Sequence, residues 1–326
     1  MKRFFPLLPA VISFVICLLF SAFTHAAEYP EREIRIIVAF APGGQTDLIS
    51  RKLGEIIQSK QIMRPSLLTV NLPGGNTADA VNATRRARPD GYTFFLHHTN
   101  LITNNVMGNL TTKYSEFDLV GGLVEQPFGI VARSDDNRWK DASEFVAAAK
   151  ANPGTLSVCF PGFASPGHFA LLQLLAAFGG LGSVKEVPYT GGAAAISAHL
   201  GGHTDLRSTN MGDSARYVTS GEIKFLGMIS SKRNPDFPDV PCLKDMGSNA
   251  EGLILRTGFF APKGIPEDVK TKFMQIIRAA AESPEFAEFS RFMSNTVVLS
   301  SAEEFHKAYD EDFKTISELA KGLTKQ

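Results

Sequence analysis

Residues 40–58 read FAPGGQTDLISRKLGEIIQ and complete an apolar run, Ile34–Phe40. The run predicts a β-strand, Pro-Gly-Gly a tight turn, and Thr46–Ser59 a helix that begins at once. Such a turn leaves backbone N–H groups pointing off the helix N-terminus, where the macrodipole favours an anion. The alternative is that Pro42-Gly43-Gly44 is only a turn and that Asp47 only caps its helix.

The same alternation of strand and helix continues along the chain. Further strands are predicted at Leu67–Asn71, Thr93–His97, 123–133, Leu156–Phe160, 184–189, 204–209, 223–230 and 252–262. Further helices are predicted at Thr77–Ala87, Ala142–Ala151, His168–Phe178, 191–202, Asp213–Thr219, Pro266–Ala281, from Pro284, and from Ser301 to Leu319. Strands that alternate with helices indicate parallel βαβ units with helices on both faces of a sheet.

Two such units predict an α/β protein with two lobes. Each lobe is a doubly wound sheet flanked by helices, and two extended crossings join the lobes. We assign residues 27–126 and 255–326 to the first lobe and 127–254 to the second. The C-terminal helices have no strands of their own in this prediction, so we expect them to pack on the first lobe. Ligands of open α/β sheets bind at the carboxyl ends of strands, so two facing edges would form a cleft.

The N-terminus predicts export. Lys2 and Arg3 precede an apolar run from Phe4 to Phe23, and small residues follow it. This is the pattern of a secretory signal peptide, here residues 1–26 with cleavage near Ala26. A retained membrane anchor is the alternative.

Composition argues against several classes of partner. The chain has 33 basic and 33 acidic residues. It has no stripe of basic residues that would predict nucleic-acid binding. We expect a monomer. The cysteines after the signal peptide, Cys159 and Cys242, are expected to remain separate thiols, although an exported protein can pair them. The spacing of His and Cys predicts no metal site, and neither glycine loop carries a nucleotide-binding fingerprint, so we expect no cofactor.

The loops at the predicted strand ends carry small, hydroxylated or amide residues beside glycine. They are Pro42-Gly43-Gly44-Gln45-Thr46-Asp47, His98-Thr99-Asn100, Ala164-Ser165-Pro166-Gly167-His168, Thr190-Gly191-Gly192 and Thr209-Asn210. Neutral N–H donors at several helix N-termini suit carboxylates, which accept two or three such bonds without a cation. Ser165 and His168 also permit a hydrolase hypothesis. Gly162–Gly167 does not form the G-x-S-x-G nucleophile elbow, however, and no third member of a triad is evident.

Two arginines interrupt apolar strand patterns. For Arg207 we expect a strand-edge position, with the stem packed and the head group in solvent. Arg256 lies near the return crossing, and it is our candidate to reach an anionic ligand, since arginine is the preferred bidentate partner of a carboxylate. Phe40 is a candidate wall of the cleft, although aromatic residues at strand ends usually belong to a core.

The chain resembles the substrate-binding proteins of tripartite tricarboxylate transporters, the Bug-type family. The resemblance lies in YPEREIRIIVAFAPGGQTDLISRKLGE, NLPGGN with ARPDGYT, SPGHFALLQL, VPYTGGAAA with LGGHTDL, GEIKFLGMISSKRNPDFPDVPCLKDMG and GFFAPKGIPEDV, in family order over nearly the whole mature chain. It implies a type II periplasmic binding fold that captures small carboxylates. It also implies delivery to a large and a small membrane subunit.

The resemblance places several residues at the ligand. They are Pro42, Gly43, Gly44 and Asp47 from the first loop, Ser165, Gly167 and His168 from the second lobe, and the strand-end Asn210. With the polar loops and Arg256, the candidate ligand-binding residues are Phe40, Pro42, Gly43, Gly44, Gln45, Thr46, Asp47, Thr99, Asn100, Ser165, Gly167, His168, Thr190, Asn210 and Arg256.

Three departures from the family pattern fall at the cleft. Arg256-Thr257 replaces an aromatic residue, His98-Thr99-Asn100 replaces a Gly-Thr loop, and Thr209 replaces an aspartate. An added arginine and a lost aspartate favour more negative charge, so we hypothesise a dicarboxylate or an aromatic carboxylate as ligand. The alternatives are a sensor that presents its ligand to a membrane kinase, and an exported hydrolase that uses Ser165 and His168.

Overall fold

The structure is a computed structural model that describes residues 29–323; the predicted signal peptide lies outside these residues. The strands are β1 (Ile34–Val38), β2 (Leu67–Asn71), β3 (Thr93–His98), β4 (Phe117–Arg133), β5 (Ser157–Phe160), β6 (Lys185–Pro188), β7 (Leu206–Asn210), β8 (Ile223–Ile229), β9 (Ile254–Pro262) and β10 (Thr296–Val297). The α-helices are α1 (Gln45–Ser59), α2 (Ala78–Arg86), α3 (Asn100–Val106), α4 (Ala142–Ala151), α5 (Pro166–Ala177), α6 (Gly192–Leu200), α7 (Met211–Thr219), α8 (Glu267–Ala281), α9 (Pro284–Phe292) and α10 (Ala302–Leu323).

The strands follow one another in the order β2-β1-β3-β9-β4-β7-β5-β6, and β8 and β10 also pair with β4. β1 is parallel to β2 and β3, and β5 is parallel to β6 and β7. β9 runs antiparallel to its neighbours β3 and β4. These parallel groups are the βαβ units that the alternation predicted, and the α/β class is confirmed.

β4 belongs to both groups of strands. Its first part, from Phe117 to Pro127, pairs with β9. From Phe128 to Arg133 it pairs instead with β7 and β8. The change of partners between Pro127 and Phe128 marks the first crossing between two lobes. The second crossing runs from the end of β8 to β9, where Ser230 bridges to Gly252.

Helices cover the sheet on the faces that the sequence pattern requires. α1 buries Ile49, Leu53, Ile56 and Ile57, which recur at the spacing of one helical face. That face packs with the buried residues of β1 and with Phe273 of α8 in one apolar cluster. Apart from the exposed Arg35, β1 is buried on both faces, as expected for a parallel strand between two helical layers.

β10 and α3 were not predicted from the sequence, and the expectation that the C-terminal segment has no strand was wrong. The C-terminal segment does contribute a strand, since β10 pairs with Glu125 and Val124 of β4. Two residues are too few to show a period in the sequence. α3 was missed because its residues, NLITNNV, are largely polar. The last helix, α10, packs on α3 and β4 but also contacts α5, so it spans both lobes.

Cys159 and Cys242 are both buried and free, which confirms two separate thiols. Within residues 29–323, no helix is both long and apolar enough to cross a membrane. The same part of the chain holds no cluster of His, Cys, Asp and Glu side chains arranged to bind a metal ion.

Candidate functional site

A cavity of about 1010 Å³ lies between the two lobes. The first lobe lines it with the turn Gly43-Gly44-Gln45, Leu48 of α1 and the segment Arg291–Ser294. The second lobe contributes Gly192, Ala193 and Ile196 of α6, Arg207 of β7, several residues of α7, and Asp236 with Phe237. The glycine turn that follows β1 therefore faces two helix N-termini of the other lobe across one cleft.

The first glycine turn presents different donors from those expected. Gly43 has φ 85°, a conformation that favours glycine. Its N–H donates to Asp47 Oδ2 at 2.8 Å, and the N–H of Gly44 donates to Ala41 O at 3.2 Å. Both glycine N–H groups therefore donate within the turn and are not available to an anion, contrary to the expectation. At the start of α1, the N–H groups of Gln45, Thr46 and Asp47 have no acceptor among the described residues.

Asp47 holds the turn together and is itself buried. Besides Gly43, it accepts from Arg51 Nε at 2.9 Å and from Asn71 Nδ2 at 2.9 Å. Burial alone would raise the pKa of this carboxyl, but the hydrogen bonds from Arg51, Gly43 and Asn71 outweigh it and lower the pKa. The N-cap position belongs to Gly44, which offers no side chain. Asp47 therefore closes the turn from inside the helix and is not the N-cap.

The second wall of the cleft is built from two helix N-termini. Gly191 is the N-cap of α6 and provides no side-chain cap. Asn210 is the N-cap of α7, and its Oδ1 accepts from the N–H of Asp213 at 3.0 Å. Gly192 and Asp213 both line the cavity. The positive ends of both helices therefore lie at the cleft, an arrangement that favours an anion.

Arg207 lies under this wall, and the expectation of a solvated head group was wrong. The residue is 0% exposed. Its Nη1 donates to Ser214 Oγ at 2.8 Å, while Nε and Nη2 are buried without a hydrogen-bond partner among the described residues. Nη2 lies 4.0 Å from Asp213 Oδ2. Burial lowers the pKa of the guanidinium, although Asp213 opposes this. In the sequence, the only sign that Arg207 is special was that it interrupts an apolar strand.

Arg256 lies elsewhere. Its guanidinium donates through Nε to Asp312 Oδ2 at 2.9 Å, and it forms an ion pair with Glu125. It borders a different cavity of about 470 Å³, on the side of the second crossing. Burial lowers the pKa of Arg256, but Asp312 and Glu125 outweigh it and raise the pKa. Its charge is thus satisfied within the protein, and the structure does not bring it to the glycine turn.

Ser165 and His168 do not form a reactive pair. Ser165 caps α5, and its Oγ accepts the backbone N–H of His168 at 3.2 Å. The imidazole accepts from Ala164 N–H through Nδ1 at 3.0 Å, so Nε2 carries the proton that it donates to Glu186 Oε2 at 2.8 Å. The ring is buried and stacks on Phe160. Both ring nitrogens are therefore engaged away from the serine.

The remaining candidates are not among the described residues that line the cavity. Thr99 Oγ1 donates to Ile254 O at 3.0 Å and so ties α3 to β9. Asn100 bonds within α3, and Gly167 O accepts from Ser208 Oγ at 2.8 Å. Phe40 stacks on His98 with ring centroids 4.9 Å apart. Pro42 and Thr190 are exposed, and Thr46 is buried in the first turn of α1.

Known proteins resemble this chain over most of its length. The sequence profile of the tripartite tricarboxylate transporter family receptor matches residues 49–323. A UPF0065 protein of Bordetella pertussis is 28% identical over 280 residues, which is 85% of each chain.

Solved structures agree with the fold. The periplasmic binding protein BugD superposes with a TM-score of 0.73 and 27% identity, covering 90% of this chain and 98% of its own. MatC from Rhodopseudomonas palustris, solved with bound malate, has a TM-score of 0.74 and covers 89% of this chain and 99% of its own. At 23% identity that likeness concerns the fold alone.

Proposed function

The chain belongs to the tripartite tricarboxylate transporter receptor family, and from that premise we propose that it captures a small organic carboxylate in the inter-lobe cleft and delivers it to a membrane transporter. Members of this family are solute-binding receptors of the periplasm and are not enzymes. The mechanism is therefore binding and lobe closure, without covalent chemistry.

The observation that carries the proposal is the arrangement of helix N-termini around one cavity. The unpartnered N–H groups of Gln45, Thr46 and Asp47 belong to the first lobe. Gly192 at the start of α6 and Asp213 in the first turn of α7 line the same cavity from the second lobe. A carboxylate gains charge-assisted hydrogen bonds from such donors, and two carboxylates on one molecule can engage both lobes at once.

The lining favours a dicarboxylate or an aromatic carboxylate. Arg216 and Arg291 line the cavity and Arg207 lies buried at its wall, against Asp213 and Asp236. This balance of charge favours an anionic ligand. Apolar side chains from both lobes, Leu48, Ile196, Phe237, Phe292 and Met293, also line it and suit a ligand with an apolar body. MatC, a protein of the same fold, was solved with malate, itself a dicarboxylate.

We also propose the division into lobes and the steps around binding. Residues 27–126 and 255–326 form the first lobe and 127–254 the second, with the boundary in β4 at the change of partners. The protein acts as a monomer, reaches the periplasm through cleavage near Ala26, and docks on a large and a small membrane subunit.

A thermal-shift screen of the mature protein tests the function. The protein from Ala27 onward is heated with mono-, di- and tricarboxylic acids, aromatic acids, and neutral sugars as controls. A ligand at a hundred times its dissociation constant adds about 2.7 kcal/mol of stability, which raises the midpoint visibly. A raised midpoint with one class of acid is the expected result. No shift with any acid, or a shift with neutral solutes only, overturns the proposal.

A further inference from the structure

We propose that Arg207 is the cation that receives the ligand's carboxylate in the second lobe, and that Asp213 takes the ligand's place as its counter-ion while the cleft is empty. This inference rests on the proposed function, because it assigns the partner of an anion within the same cleft.

The first support is the unsatisfied state of a fully buried charge. Arg207 is 0% exposed, yet only Nη1 has a hydrogen-bond partner, Ser214, among the residues that the structure describes. A buried guanidinium loses its hydration and regains stability only through good partners, so Nε and Nη2 leave this charge poorly compensated. A planar guanidinium with two free donors matches the two oxygens of a carboxylate.

The second support is the position of that charge beside the start of α6. A Cβ atom added to Gly192 would lie 3.7 Å from Arg207 Nη2 and 3.2 Å from Asp213 Oδ2. The first helical residue of α6 and the free edge of the guanidinium therefore flank one small space. Gly192 and Asp213 line the cavity, and the fully buried side chain of Arg207 lies directly behind them. A carboxylate in this space would meet the cation and the N–H groups at the start of α6 together.

The third observation in support is that Asp213 forms only a weak ion pair with Arg207. Its Oδ2 is 4.0 Å from Nη2, which is too long for a hydrogen bond, and it accepts instead from Asn210 Nδ2 at 3.0 Å. The Asp213 side chain is 41% exposed, so it can rotate into solvent. An incoming carboxylate would replace one negative charge by another, and no unpaired charge would be left buried. A neutral solute could not make this exchange.

Calorimetric titration of three variants tests the exchange. The probes are the sodium salts of malate, adipate, citrate and benzoate, with adipamide and benzamide as neutral analogues. Arg207→Met keeps an unbranched, largely apolar side chain and removes the charge. Arg133→Met is the control, because it removes the same charge from the same lobe away from the cavity. Arg133 donates to Thr204 O at 3.1 Å and is not among the residues that line the cavity. Asp213→Asn removes the competing anion and keeps the side-chain shape.

The inference predicts three results for the acid that the wild type binds most tightly. Arg207→Met weakens binding by at least about 30-fold, because a charge pair in the closed cleft is lost. Arg133→Met stays within about twofold of the wild type. Asp213→Asn strengthens binding by about tenfold, because a like charge next to the ligand is removed.

The thermal midpoint of the ligand-free protein separates an anchor from a structural arginine. A ligand-binding arginine that is buried without partners destabilises the ligand-free protein. Arg207→Met should therefore leave the thermal midpoint unchanged or raise it. A lowered midpoint together with unchanged affinity overturns the inference and leaves the proposed function intact. Equal affinity of Arg207→Met and wild type overturns it as well. If the wild type binds no acid of the thermal-shift panel, the proposed function fails and this inference fails with it.

Discussion

Ser165 Oγ accepts the backbone N–H of His168 at 3.2 Å, while the imidazole of the same histidine donates to Glu186. The serine is thus a helix cap and the histidine is a buried polar link between α5 and β6. Neither group is placed to activate the other for nucleophilic attack.

Ser165→Ala should therefore cost stability without changing any chemistry. Loss of an N-cap costs about 1 kcal/mol, and chemical denaturation in urea measures it. Ser283→Ala is the matched control, because Ser283 caps α9 through Phe286 N–H at 3.2 Å and also precedes a proline. Both variants should lose similar stability. Hydrolysis of p-nitrophenyl acetate that depends on Ser165 alone would contradict this assignment and revive the hydrolase hypothesis.

Asp47→Ala should destabilise the protein by about 2–3 kcal/mol. The substitution leaves Gly43 N–H, Arg51 and Asn71 Nδ2 without their shared acceptor, in a turn that borders the cleft. Urea denaturation gives the difference. Asp268→Ala provides the control, since Asp268 is also an acid in the first turn of a helix but is exposed. It should cost less than about 1 kcal/mol. Equal losses in the two variants would show that Asp47 acts only through the helix dipole.

The pH dependence of stability should report Asp312. Burial raises the pKa of this carboxyl to about 7, against the attraction of Arg256. In the unfolded chain it ionises near its ordinary pKa of about 3.9. Between these values the folded protein holds one proton more than the unfolded chain. The contribution of Asp312 to stability is therefore present at low pH and is lost as the pH rises through about 7.

Asp312→Asn isolates this effect. Between about pH 5 and pH 7, the wild type should lose about 2 kcal/mol relative to the variant. Urea denaturation of both proteins across that interval measures the difference. Above about pH 8 the two curves should run parallel. A constant difference over the whole interval would mean that Asp312 is ionised throughout, held by Arg256.

Gly252→Ala should destabilise the second crossing by about 3 kcal/mol or more. Gly252 has φ 88°, and an added Cβ would lie 2.2 Å from Ile229 O, a backbone atom that cannot move aside cheaply. Gly247→Ala is the control on the same connection, because Gly247 has φ 90° but no atom within 4 Å of the added Cβ. It should cost only the conformational penalty of about 1–2 kcal/mol. Similar losses at both positions, measured as thermal midpoints, would show that the crossing adapts to the extra atom.

The fold could be predicted from sequence because its elements are periodic. Ala142–Ala151 and Leu67–Asn71 were predicted with their observed bounds, and both the strand–helix alternation and the family resemblance indicated α/β lobes. The first part of β4 was missed. Its Gly121-Gly122 pair reads as a break, yet these glycines pack where an added Cβ would meet Ser300.

The site was less predictable, because sequence cannot show which side chains neighbouring elements satisfy. Arg207 and Arg256 both interrupt apolar strands, and the position of Arg256 near the return crossing made it the favoured candidate. In the structure Glu125 lies opposite Arg256 on the paired strand, and Asp312 approaches from a helix distant in sequence. Arg207 lies near a single carboxylate, at 4.0 Å. The difference between a structural and an available arginine was set by long-range contacts.

β4 also brings its change of strand partners close to the cleft. Phe128, the first residue beyond the change of partners, lies opposite Asn210 on one side and Ile229 on the other. Asn210 holds Asp213, which borders the cleft. The proposed ligand contact and the strand that both lobes share are therefore neighbours in one sheet. In the proposed mechanism, a rotation that begins at the bound solute would reach the change of partners in β4 through Asp213, Asn210 and Phe128 alone.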